Sequence, residues 1–207
     1  MIRVQYAAVL AVGVSSPALG DFATDFGVAW DGQGNLAVEF NFASIEVISS
    51  FIENGGANGN FTGFFSDEPG FANFEEDEAD EGLFVVPDGT VVGFRLLAFD
   101  PGFAVYDPFF DQRLDVGDSF LFPEVVRDSA GAVTAGFDDH PWWTVETTSA
   151  GFDAGIFEYD MTFELFDGRT DGAAIGSTGP ITVTFTRIPA PATGVVLGAL
   201  AFARRRR

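Results

Sequence analysis

The sequence predicts an all-β domain, an antiparallel β-sandwich of jelly-roll or Ig-like type. Three observations carry that expectation. The strongest hydrophobic period between residues 21 and 188 is two, the spacing of a strand with one buried face. The apolar runs are short and are separated by turn-forming pairs such as Asp31-Gly32, Asp88-Gly89, Asp167-Gly168 and Asp171-Gly172. No capped apolar stretch of helical period persists there for more than two turns.

The strands follow in chain order. Residues 36–42 (LAVEFNF) alternate apolar and polar positions. The stretch from Phe51 to Asp80 is rich in Gly and acids, and is expected to be a long irregular loop around residues 51–80. Residues 82–86 (GLFVV), 90–99 (TVVGFRLLAF) and 118–122 (DSFLF) are further strands, rich in Val and Phe. Residues 142–147 open with Trp142-Trp143, two neighbours that a strand sends to opposite faces. Residues 156–165 give the clearest alternation: Phe157, Tyr159, Met161, Phe163 and Leu165 on one face, Glu158, Asp160, Thr162 and Glu164 on the other. Residues 181–186 repeat it with Ile181, Val183 and Phe185 inward.

Length and composition restrict the function classes. The chain has 207 residues, enough for one domain with a core that needs no disulfides. It has no Cys, which excludes disulfides, thiolate zinc sites and a thiol nucleophile. It carries 25 Phe, the aromatic payload of a packed β core. The formal net charge is −21, which argues against a nucleic-acid partner. That charge is unevenly placed. All 31 acids lie between Asp21 and Asp171, and residues 21–188 hold five Arg against them, a net of −26. All ten basic residues are Arg, and both ends of the chain are basic and apolar.

The N-terminal residues read MIRVQYAAVLAVGVSSPALG. Arg3, an apolar run from Val4 to Val14, a Ser-Ser-Pro break and small residues before Asp21 have the grammar of a secretory signal peptide. Cleavage is expected between Gly20 and Asp21, after handling by the Sec translocon and signal peptidase. A buried N-terminal helix or strand is the alternative.

The C-terminal residues combine Pro189-Ala190-Pro191, then Ala192-Thr193, an apolar run from Gly194 to Ala203, and Arg204, Arg205, Arg206 and Arg207. Pro-x-Pro ends the preceding strand, the apolar run can enter a bilayer, and the Arg cluster stays cytoplasmic. This tail resembles the PEP-CTERM sorting signal of Gram-negative bacteria, with Ala190 in the Glu position of the motif. The resemblance implies transient inner-membrane anchoring, cleavage by an exosortase, and delivery to the cell surface or extracellular matrix. It implies three regions: a signal peptide over 1–20, an acidic domain over 21–188 and a sorting signal over 189–207. The acidic region also resembles uncharacterised extracellular domains that carry the same tail, through residues 67–71 (DEPGF), 92–94 (VGF), the segment around His140, and residues 175–183 (IGSTGPITV). Such domains often carry several His, which implies metal binding; this sequence has only His140.

Other candidate chemistry is sparse. His140, the single His, stands beside Asp138 and Asp139 as a possible ligand or general base, or as an ordinary loop His. No Gly-x-Ser-x-Gly elbow accompanies it, so an enzyme is not expected, with a secreted hydrolase as an alternative. Trp142 or Trp143 offers an exposed ring for sugar stacking, and extracellular polysaccharide is a corresponding partner. Glu75, Glu76, Asp77, Glu78 and Asp80 form the densest acidic run and could take Ca²⁺, although the order of an EF-hand loop is absent. Asp107, Asp111 and Asp115 make a looser acidic set. The alternative for both sets is solvated charge.

Overall fold

The computed structural model describes residues 25–40, 45–46, 50–55, 61–170 and 175–187, and all the regular structure in them is β. The first eight strands are β1 (Phe26–Trp30), β2 (Leu36–Glu39), β3 (Ile45–Glu46), β4 (Ser50–Gly55), β5 (Phe61–Ser66), β6 (Phe71–Asn73), β7 (Val92–Phe99) and β8 (Phe103–Tyr106). The others are β9 (Arg113–Leu114), β10 (Ser119–Leu121), β11 (Val126–Arg127), β12 (Val133–Ala135), β13 (Asp138–Asp139), β14 (Trp142–Glu146), β15 (Glu158–Asp167) and β16 (Ile181–Thr186).

Two five-stranded sheets, β10-β7-β15-β16-β3 and β4-β5-β14-β8-β9, face one another. Phe103 and Trp143 of the second meet Phe185 of the first, each with ring centroids 5.0 Å apart. A four-stranded sheet, β13-β6-β1-β2, closes the core at one side through Phe26 and Phe71, which pack on Phe163. Pairing is antiparallel except between β1 and β6 and between β16 and β3. This is the expected β-sandwich architecture.

The two strands with strict alternation behave as the period requires. Tyr159, Met161, Phe163 and Leu165 of β15 are all fully buried, while Phe157 lies outside the strand and stays exposed. Val183 and Phe185 of β16 are buried beside them, and β15 pairs with β16 from Glu158↔Thr186 to Phe163↔Ile181.

Two stretches differ from expectation. Residues 51–80 are not one irregular loop, because β4, β5 and β6 run through them. Gly63 is the reason that β5 is hard to see. A Cβ there would lie 2.1 Å from the Val145 carbonyl oxygen, so β14 can approach only a glycine. Residues 82–86 do not form a strand. Phe84 and Leu83 make single bridges to Trp30 and Glu78, and the Val85 N–H is taken by the Asp77 carboxylate at 2.9 Å. A side chain thereby replaces the ladder partner a strand would need.

Arg187 ends the described chain just beyond β16, almost fully buried. Its guanidinium lies over Phe64, Phe152 and Phe157, and Nη2 donates to the carbonyls of Ala154 and Ile156. Aromatic faces and carbonyl oxygens stabilise its charge here.

Candidate functional site

The richest cluster of ionisable groups gathers around His140, where three distant segments meet. Asp25 stands at the entrance to β1, Asp67 to Pro69 form the corner between β5 and β6, and Asp138 lies on β13. Strand β6 organises the meeting, because it pairs with β1 on one side and β13 on the other. Asp25 ties the corner down by accepting the Gly70 N–H at 2.7 Å. Gly70 supports the imidazole directly, since a Cβ there would lie 2.7 Å from ring atoms.

Both ring nitrogens of His140 face oxygen. Nδ1 is 3.0 Å from the Asp67 carbonyl and 3.6 Å from Glu68 Oε2, and Nε2 is 3.2 Å from Asp138 Oδ1. That arrangement suits an imidazolium with two donors. Burial opposes the charge, but the Asp67 carbonyl and the carboxylates of Glu68, Asp25 and Asp138 outweigh it and hold the His140 pKa above its ordinary value. Glu68 is raised as well, by burial and by a hydrogen bond and charge repulsion with Asp25. Asp139 is raised by burial and by the neighbouring Asp138.

A pH dependence follows. Protons held more tightly in the folded state give stability that is complete below the ordinary pKa and is lost as pH rises through the folded one. The loss begins above 4.5 for Glu68 and above 6.5 for His140. The melting temperature is therefore expected to fall as pH rises above 4.5 and again above 6.5. His140→Gln should flatten that limb, as read by thermal melts across the range.

Asp25, Glu68 and His140 each bring one ligand atom to within 4.8 Å of the others, so a divalent cation could be held there. A second group, Glu39, Glu78 and Glu81, converges within the same distance. Burial and mutual repulsion raise the pKa of Glu39 and Glu78. Of the acidic run read from sequence, only Glu78 joins this group. Asp77 is used by the Val85 backbone, Glu75 and Glu76 are exposed, and Asp80 lies on an exposed turn. Asp107 caps the turn that follows β8 and shares a hydrogen bond with Asp111, while Asp115 lies near Arg113.

The two adjacent Trp residues split as a strand requires. Trp143 is completely buried and its indole donates to the Pro69 carbonyl at 2.9 Å, which removes it from any ligand surface. Trp142 is half-buried on the opposite face, stacked on Phe110 at 4.5 Å with Phe65 at 5.1 Å. Its ring is a member of an aromatic cluster with Phe61, Phe65, Tyr106 and Phe110. Gly20, Asp21 and the tail residues Pro189 to Thr193 and Arg204 to Arg207 lie outside the described residues.

Nothing in the sequence alone marks Asp25 and Glu68 as partners of His140. The only local hint was the Asp67-Glu68-Pro69-Gly70 turn, and its meeting with β13 is a property of the fold alone. Comparison with protein-family models, with characterised proteins and with solved structures finds no match to this chain.

Proposed function

We propose that this chain is an exported surface or extracellular-matrix protein, carried across the inner membrane by the Sec route and trimmed at both ends. Signal peptidase acts between Gly20 and Asp21, and an exosortase removes the tail that begins near Pro189. The carrying observation is the arrangement of the sequence: two basic, apolar ends flank an acidic middle of net charge −26. The described strands run from Phe26 to Thr186, so neither trimming step would remove any of them. No helix among the described residues is long and apolar enough to cross a membrane.

The role of the middle domain is non-enzymatic in this reading. His140 supports it, since both ring nitrogens are already engaged by protein oxygens, Nδ1 by the Asp67 carbonyl and Nε2 by Asp138. Cation binding is a second role, favoured by the convergence of Glu39, Glu78 and Glu81, whose repulsion Ca²⁺ would relieve.

The test is the intact mass of the protein recovered from outside the cell. The expected mass lacks residues 1–20 and the tail. Deleting Arg204 to Arg207, or removing the exosortase, should leave the tail on and hold the protein at the inner membrane. Identical mass and location in all strains would overturn the sorting reading.

A further inference from the structure

The sandwich carries an open groove of about 580 Å³ that shares no lining residue with the His140 cluster and is lined by Trp30, Asp88, Arg127, Asp128, Ser129 and Gly131. Its walls are the end of β1, the segment leading into β7, and the β11–β12 hairpin. The volume lies within the range of about 300–1,000 Å³ found for small-ligand sites.

The polar groups of this groove are fixed on one side and open on the other. Asp88 Oδ1 accepts the Arg127 N–H at 2.7 Å, and Asp128 Oδ1 accepts the N–H groups of Ala130 and Ala132. Each carboxylate is held by one oxygen, and its second oxygen makes no hydrogen bond to a described residue. Arg127 is anchored by Nε, which donates to the Gly131 carbonyl at 2.7 Å. Its two terminal nitrogens have no hydrogen bond or ion pair among the described residues, in a domain with acids in large excess. The Trp30 indole N–H is likewise without an acceptor among them. Phe84 meets the Trp30 ring at an interplanar angle of 58° and does not stack flat on it.

We propose that this groove binds a neutral oligosaccharide. A sugar hydroxyl both donates and accepts, and the groove offers a forked donor flanked by two acceptors. The C–H face of a pyranose is apolar and suits an indole ring. An anionic ligand would meet Asp88 and Asp128, and a cationic one would meet Arg127, so the charge pattern selects an uncharged polyol. A purely apolar ligand would leave three charged groups desolvated without partners. The proposal does not depend on the sorting reading, and it moves the glycan site away from Trp142 and Trp143.

The test is isothermal titration of the full chain with laminarihexaose, cellohexaose and mannohexaose, with trigalacturonate as an anionic comparator. Saturable binding to at least one neutral hexasaccharide is expected. Arg127→Gln and Asp88→Asn should each weaken it about tenfold or more, with little change in melting temperature. Trp30→Phe should weaken it less. Phe109→Ala, which removes a ring that is 82% exposed elsewhere, should leave it unchanged and so excludes adhesion to apolar surface. Absence of saturable binding to all three neutral sugars overturns the proposal. So does binding to trigalacturonate alone, or equal affinity in Arg127→Gln, Asp88→Asn and the parent chain.

Discussion

Trp143→Ala should leave the domain largely unfolded at ordinary temperature. The indole is fully buried at the centre of the sandwich, where its ring meets Phe71, Phe94 and Phe185 from two neighbouring sheets. Truncating a buried aromatic of this size costs about 3–5 kcal/mol, from lost burial plus the cavity left behind. The Pro69 carbonyl loses its indole donor in the same step, for about 1–3 kcal/mol more if water does not reach it. The sum is a large share of the total stability of about 5–15 kcal/mol expected for a domain. Urea denaturation followed by far-ultraviolet circular dichroism measures it. Trp143→Phe keeps most of the volume and should cost clearly less. A Trp143→Ala protein with a parent-like midpoint would mean that the two large sheets do not close over this ring.

Asp167→Ala should be the most damaging change of a charged residue. The Asp167 side chain is 1% exposed, at the end of β15. It accepts the backbone N–H groups of Arg169 and Ile175 and takes the Arg169 guanidinium through Nε and Nη2. Removing it takes a buried acceptor from two backbone N–H groups and from the Arg169 guanidinium, and breaking a buried ion pair costs about 3–5 kcal/mol. Arg169 keeps 21% of its side chain in solvent, which puts the expected value at the lower end. The same residue governs the acid limb. Burial opposes ionisation, but the Arg169 and Ile175 hydrogen bonds outweigh it and depress the Asp167 pKa below 3.8. A depressed carboxylate gives stability that is present above its ordinary value and is lost as pH falls through the folded one. Asp167→Asn should therefore lower stability at pH 6 and flatten its decline below about pH 4. The parent chain should be most stable between this limb and the alkaline one set by Glu68 and His140.

The legible parts of this fold are those where one face is buried and the other wet. β15 and β16 alternate in sequence because they alternate in space. The strands that escaped notice break that rule for identifiable reasons. β8 is buried at all four positions, so its sequence FAVY has no period to detect. β1 is buried at four of its five for the same reason. β5 is disguised by Gly63, which the approach of β14 demands. β13 is a pair of adjacent Asp residues that pair with β6 through backbone alone. Sites were less legible than strands. His140 could be found because it is the only His, but Asp25 and Glu68 reach it through pairings that join residues far apart in the chain. The Trp30 groove is more distant still, since its aromatic and its arginine are almost a hundred residues apart. Trp142 and Trp143 stand out in the sequence as a pair, and the structure buries Trp143 completely while Trp142 stays half-buried against Phe110 and Phe65.

The burial of Arg187 decides how the last described strand ends. The chain leaves β16 through this residue, whose guanidinium is gripped by aromatic rings and two carbonyls. β16 is itself an interior strand of its sheet, held by β15 along six residue pairs. Fraying from this end must therefore release a buried cation as well as break backbone pairs, which sets it apart from a strand end held by its ladder alone.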